Sequence, residues 1–139
     1  ISADAVIERS IISEGAEIYG EVHNSVIGAG VTIKEGTVVR DSIIMKETVI
    51  GSGCTIDRSI IAENVTVGDS VVLGVGEEAP NVLKPAVYGF GLVTVGENAV
   101  IPSNVKIGKN TAISGVTTEE DYPNGELASG GAIVKKDGE

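Results

Sequence analysis

Few side chains in this 139-residue sequence could do chemistry, and they lie far apart. His23, in Val22-His23-Asn24-Ser25-Val26, is the single histidine, and an imidazole can serve as a general base near neutral pH. One histidine is too few for a zinc centre built from several histidine ligands, and no metal site is expected. Cys54 is the single cysteine, which rules out an internal disulfide and fits a reducing cytosol. Lys135 and Lys136 are adjacent cations on a chain of net charge −10; they could hold an anion or simply be solvated. Gly28-Ala29-Gly30 and Gly51-Ser52-Gly53 have the composition of phosphate-cradling loops, but such loops need a strand before and a helix after. No residue is expected to be catalytic.

The elements that carry these groups follow from a repeat. Ser10-Ile11-Ile12, Ser25-Val26-Ile27, Ser42-Ile43-Ile44 and Ser59-Ile60-Ile61 recur at spacings of 15, 17 and 17, and repetition of this kind decides architecture before any local reading. Inside the units, aliphatic residues return about every six positions: Ile27, Ile33, Val39; Ile44, Ile50, Ile56; Ile61, Val67, Leu73; then Val95, Ile101, Ile107, Ile113. A six-residue step is neither helical nor a hairpin alternation, but it suits a short strand plus a turn, three to a triangular coil. Four residues after each aliphatic the side chain is small (Val31, Thr37, Thr48, Cys54, Val65, Val71, Ala99, Val105, Thr111), which predicts a second inward column where a large group would not fit. Cys54 belongs to it as a compact buried thiol, a poor nucleophile. Three after the aliphatic stand Gly30, Gly36, Gly53, Asn64, Ser70, Asn98, Asn104 and Asn110, read as corners because Gly and Asn tolerate a left-handed backbone best. The Gly pairs are therefore corners as well. His23 falls in the coil shortened to 15 residues and is read as part of a distorted, exposed corner.

Composition agrees. Valine and isoleucine number 37 against 4 leucines, and β-branched side chains suit strands. The expected fold is all-β, a single-stranded parallel β-helix of hexapeptide repeats with about 17–18 residues per coil, occupying residues 1–139 as one domain. Coils are expected over 1–73 and 92–115, with an interrupting loop over 74–91 and an irregular acidic tail over 116–139. The loop "GVGEEAPNVLKPAVYGFG" contains Tyr88 and Phe90; it is read first as a lid on the core, otherwise as a functional loop or as a contact with another domain or subunit. "GGAIVKKDGE" could add one short strand ending at Lys135 and Lys136. Scattered basic residues and a pI near 4.5 argue against a nucleic-acid or anionic-membrane partner, and no apolar run is long enough to cross a bilayer. A chain that opens inside its own repeat reads as part of something longer.

The pattern in Ile27-Gly28-Ala29-Gly30-Val31-Thr32 resembles the left-handed parallel β-helix family. The left hand is implied by that resemblance alone, since general stereochemistry favours right-handed crossovers between parallel strands. "EIYGEVHNSVIGAGVTIKEGTVVRDSIIM" (17–45), "GLVTVGENAVIPSNVKIGKNTAISG" (91–115) and the intervening loop resemble the carboxy-terminal domain of bacterial glucose-1-phosphate adenylyltransferase over nearly the whole chain. That resemblance implies a cytoplasmic, two-domain enzyme making ADP-glucose and pyrophosphate from ATP and glucose 1-phosphate with magnesium, at the start of glycogen synthesis. Its catalytic groups would lie in an amino-terminal nucleotidyltransferase domain absent from this sequence, so no cofactor is expected here and ATP and Mg belong to the missing domain. The β-helix would serve assembly, commonly as a homotetramer, and binding of phosphorylated or carboxylate effectors. Ser129-Gly130-Gly131-Ala132-Ile133-Val134-Lys135-Lys136 is similar to an activator-binding context, which makes Lys135 and Lys136 effector candidates; Tyr88 and Phe90 are interface candidates. Two alternatives stand beside it: a stand-alone hexapeptide-repeat acyltransferase using His23 and acetyl-coenzyme A, and a regulatory, non-catalytic homologue.

Overall fold

The computed structural model describes residues 1–136; the last three residues of the expected tail lie outside the described residues. The repeat becomes a stack of triangular coils with three parallel faces. The first face is built from strands Val6–Glu8, Glu21–His23, Val38–Arg40, Thr55–Asp57, Val72–Val75, Lys106–Gly108 and Glu126–Leu127. The second comprises Ile11–Ile12, Val26–Ile27, Ile43–Ile44, Ser59–Ile61, Val93–Val95, Thr111–Ser114 and Ala132–Val134. The third comprises Glu17–Ile18, Thr32–Ile33, Val49–Ile50, Thr66–Val67 and Val100–Ile101, extended by a bridge from Val100 to Val116. All pairings are parallel, and no α-helix occurs among the described residues.

The register puts like on like. Ile27 pairs with Ile44 and Ile44 with Ile61; Ile33 pairs with Ile50 and Ile50 with Val67. These aliphatics are at most 2% exposed, as are the small residues of the other inward column, Cys54 included. Burying each aliphatic contributes on the order of 1.5–3 kcal/mol, and the backbone N–H and C=O groups bond to the coils on either side, as in Gly28 N to Ile44 O at 2.8 Å.

The serine signature has a specific cause. The hydroxyl of Ser25 donates to the His23 carbonyl at 2.8 Å and accepts the amide of Ser42 at 3.0 Å; Ser42 repeats this with Arg40 and Ser59. Each serine satisfies a backbone donor that the turn leaves without a ladder partner. Just before each serine is a left-handed residue that is not glycine: Arg9, Asn24, Asp41 and Arg58, with φ between 46° and 50°. This second column of left-handed corners is additional to the expected one, whose eight members all have positive φ.

Three expectations need correction. His23 lies in the strand Glu21–His23, in register with Glu8 and Arg40, and is half-buried; it is not at a corner. The coil of 15 residues is shortened elsewhere, at the turn Tyr19-Gly20 between third and first faces, where a Cβ on Gly20 would run into the carbonyl oxygen of Thr37. The tail is irregular only in part. Ala132–Val134, the short strand expected in "GGAIVKKDGE", pairs with Thr111–Ser114, and Glu126–Leu127, which was not expected, pairs with Lys106–Gly108, so the tail adds a strand to each of two faces. Its periodicity is hidden because a turn segment is spliced in before Glu126 and because Thr117 follows the Val116 bridge at an inward position usually held by an aliphatic. Tyr122, 2% exposed, joins the core at that end. Finally, the loop does not cover the core, which the coils already enclose.

Candidate functional site

The loop leaves the first face after Val75 and re-enters the second at Val93, so it is anchored along the corner between them. The anchor is a pair of asparagines. Asn81, 3% exposed, accepts the amides of Leu83 and Lys84 at 2.8 and 3.0 Å on its Oδ1, while its Nδ2 donates to the carbonyls of Asn110 and Gly131 at 2.9 and 3.3 Å. Asn110 answers from the corner: its Oδ1 accepts the Gly91 amide at 2.8 Å and its Nδ2 donates to the Ala79 carbonyl at 3.1 Å. Val82 N donates to Gly130 O at 2.8 Å, and a Cβ on Gly130 would run into the carbonyl oxygen of Pro80. Arg58 Nη2 holds the far end through the Phe90 carbonyl at 2.7 Å.

Fixed in this way, the loop turns apolar groups outward. Val82, Leu83, Val87 and Phe90 are 57–78% exposed, which is the reverse of a lid. Tyr88 is half-buried and borders a cleft of about 90 Å³ on the outer second face with Thr94, Gly96, Ala112, Ser114 and Val134. The two interface candidates are thus one group laid on the face and one projecting from it.

Lys135 is tied down. Its Nζ donates to Asp121 Oδ2 at 2.8 Å, and the same oxygen accepts the Thr118 amide at 2.8 Å. The lysine hydrogen bond, with that amide, holds the Asp121 carboxyl below its ordinary value. Next to it, Thr117 Oγ1 donates to the Val100 carbonyl at 2.6 Å, leaving the Tyr122 hydroxyl to donate to Thr117 Oγ1 at 2.8 Å. Burial pushes Tyr122 up to about 12. Sequence reasoning missed Tyr122 because "TTEEDYPNGE" reads as a turn-rich acidic segment; the missing aliphatic at Thr117 was the available signal. Lys136 follows at the end of the described chain. A groove of about 340 Å³ on the first face, bordered by Val75, Gly76, Lys106, Glu126 and Ser129, includes neither candidate lysine.

The remaining reactive groups are turned inward or toward their own chain. His23 Nδ1 is 3.2 Å from Glu8 Oε1; its Nε2 is buried without a hydrogen-bond partner, 3.6 Å from Glu21 Oε1. A general base needs a nitrogen facing a substrate proton, and both nitrogens here face carboxylates of the same sheet. Cys54 Sγ donates to Gly68 O at 3.1 Å, and burial raises its pKa. Among the described residues no group of three or more His, Cys, Asp or Glu side chains could hold a metal ion, and no helix is long and apolar enough to cross a membrane.

Residues 2–95 match the family model described as GlmU-like, C-terminal hexapeptide. The chain is 65% identical over 97% of its length to a protein of Lachnospira eligens named glucose-1-phosphate adenylyltransferase, and covers 32% of that protein. A protein of the same name from Acetivibrio thermocellus is 43% identical over 93% of the chain, with 30% of its own length covered. The chain therefore spans about a third of the length of the curated relatives it matches. A solved Bacillus cereus structure described as a candidate acetyltransferase superposes with a TM-score of 0.53 at 19% identity, covering 94% of this chain and 74% of that one. At that identity the likeness is one of fold.

Proposed function

The chain belongs to the GlmU-like C-terminal hexapeptide family, and from that premise we propose that it is the assembly and regulatory domain of a bacterial glucose-1-phosphate adenylyltransferase. One observation carries the reading: 65% identity across 97% of this chain to a protein of that name, against only 32% of that protein's length. Two thirds of such an enzyme would lie outside this chain. The parent would act in the cytoplasm, joining ATP and glucose 1-phosphate into ADP-glucose with release of pyrophosphate for glycogen synthesis.

In that reaction a phosphate oxygen of glucose 1-phosphate attacks the α-phosphorus of ATP and pyrophosphate leaves. The barrier is lowered by positioning and by metal and basic groups that neutralise charge. This chain's titratable groups are dispersed over faces and corners, with no metal-binding cluster among the described residues. On the likeness to that enzyme, of which this chain covers 32%, ATP, magnesium and turnover are assigned to an amino-terminal nucleotidyltransferase domain, and this chain is predicted to be silent alone. The domain's own contribution would be subunit assembly, as a homotetramer, and response to phosphorylated or carboxylate effectors. Lys135 and Lys136 are the proposed effector contacts. An anion arriving at Lys135 would compete with Asp121, so occupancy would be coupled to the turn 119–125 that the ion pair holds.

The test is ADP-glucose formation from ATP, glucose 1-phosphate and magnesium. The full-length polypeptide containing this sequence should turn over and the 139-residue chain should not; turnover by the chain alone would refute the assignment. A full-length protein that binds effectors without turnover would instead be the regulatory homologue. Loss of effector response in full-length Lys135→Ala/Lys136→Ala is expected, and an unchanged response would remove the two lysines. The acyltransferase alternative gains nothing from His23, whose ring nitrogens are directed at Glu8 and Glu21.

A further inference from the structure

The coil shortened at Tyr19-Gly20 leaves a notch in the solenoid. Between the third and first faces the next two coils run through Lys34-Glu35-Gly36-Thr37 and Gly51-Ser52-Gly53-Cys54, whereas the short coil has only Tyr19-Gly20. Glu35-Gly36 therefore projects past the turn beside it. The step opens a groove of about 210 Å³ bordered by Tyr19, Lys34, Glu35 and Ser52, with Tyr19 41% exposed.

Four polar side chains border the groove without partners. Among the described residues, no hydrogen bond or ion pair engages the Tyr19 hydroxyl, the Lys34 ammonium, the Glu35 carboxylate or the Ser52 hydroxyl. Farther along the same corner, side chains are turned back on the backbone: Asp69 Oδ1 accepts the Ser52 amide and Ser103 Oγ accepts the Asp69 amide, each at 2.8 Å. The notch keeps its polar groups available. A concave site with a few convergent polar groups beside an aromatic ring is the ordinary form of a small-molecule seat.

We infer that the notch seats one ring of a neutral saccharide. A sugar ring presents an apolar C–H face and a rim of hydroxyls, each able to donate and to accept. The Tyr19 ring offers an apolar surface to that face with its own hydroxyl at the edge. Around the rim, Glu35 can only accept, Lys34 can only donate, and the Ser52 and Tyr19 hydroxyls can do both, so vicinal sugar hydroxyls find partners of either kind. Charge points the same way. Lys34 and Glu35 cancel, and on a chain of net charge −10 an anion gains little from one lysine beside a carboxylate. Size sets the number of rings: the groove is smaller than the roughly 300–1,000 Å³ of drug-sized pockets, so one ring fills it and linked sugars extend into solvent. The inference does not rest on the enzymatic reading above.

The test follows amide chemical shifts of the 139-residue chain by NMR on adding maltotriose, cellotriose and chitotriose, neutral oligosaccharides that differ in linkage or ring substituent. At least one should saturate with a dissociation constant on the order of a millimolar, moving the amides of Tyr19, Lys34, Glu35 and Ser52. Tyr19→Phe keeps the ring and should bind within about threefold of the parent, while Tyr19→Ala should keep its circular dichroism and bind at least about tenfold more weakly. Glu35→Ala, at an exposed corner, should weaken binding about fivefold or more without disturbing the fold. No movement of these four amides with any of the three sugars at about 20 mM would overturn the inference, and so would a Tyr19→Ala chain that binds as the parent does. Glucose 6-phosphate or adenosine saturating the same amides at lower concentration than every neutral sugar would also overturn it, giving the notch to a phosphate or a base. None of these outcomes bears on adenylyl transfer.

Discussion

The side-chain amide of Asn81 donates to the backbone carbonyl of Asn110 at 2.9 Å, and the Asn110 side chain in turn accepts the amide of Gly91 at the loop's exit. Two buried asparagines from distant parts of the chain therefore close the excursion from both ends. Removing one leaves polar groups in a dry site, which costs about 1–3 kcal/mol. Asn81→Ala should lower the melting temperature and open residues 76–91 to protease. A variant as stable and as protease-resistant as the parent would mean that the loop is held by other contacts.

Tyr122 makes stability depend on alkaline pH. Its folded pKa, about 12, lies above the ordinary tyrosine value of 10.0. The folded state thus keeps its proton longer, and the contribution is complete below pH 10 and fades as pH climbs toward 12. Denaturant titrations of the parent and Tyr122→Phe should show a stability difference that shrinks across that window. A pH-independent difference would exclude this linkage.

Asp121 acts in the opposite direction. Lys135 lowers its carboxyl below 3.8, so its contribution is complete above the ordinary carboxylate range and is lost as pH falls through the lowered folded value. Asp121→Asn should remove that part of the acid sensitivity. Identical acid unfolding curves for variant and parent would show that the ion pair adds nothing measurable.

Cys54 should ignore thiol reagents in the native protein. It is 1% exposed, and burial raises its pKa, so both access and thiolate fraction are small. Labelling at pH 8 should become rapid only on adding denaturant. Fast stoichiometric labelling of the folded chain would show that the inner column opens.

Gly20 stands where the first complete coil saves two residues. Because a Cβ there would meet the Thr37 carbonyl, Gly20→Ala should cost about 1–3 kcal/mol by overpacking against backbone. Measured melting should show the loss; an unchanged melting temperature would mean the turn relaxes freely.

The repeating part of this protein was legible before any coordinates. A six-residue aliphatic period can be buried in few ways, so the inward columns, Cys54 among them, and the glycine and asparagine corners followed from residue type alone. The serines were legible as a signature but not as a ladder, because the hydrogen bond that the Ser42 amide donates to the Ser25 hydroxyl exists only once the coils are stacked. His23 was misread for a related reason: the count of 15 residues says that two are missing without saying where, and backbone packing put the loss at Gly20. Of the tail's two strands, Ala132–Val134 was legible in "GGAIVKKDGE", whereas Glu126–Leu127 was obscured because Thr117 and Tyr122 jointly fill the place of one aliphatic before it. The outward face of the loop and the pairing of Lys135 with Asp121 were decided by tertiary structure alone. Local pattern sets which side chains turn inward, but what lies beside an outward side chain depends on residues 14 to 50 positions away, and only the closed stack brings those together.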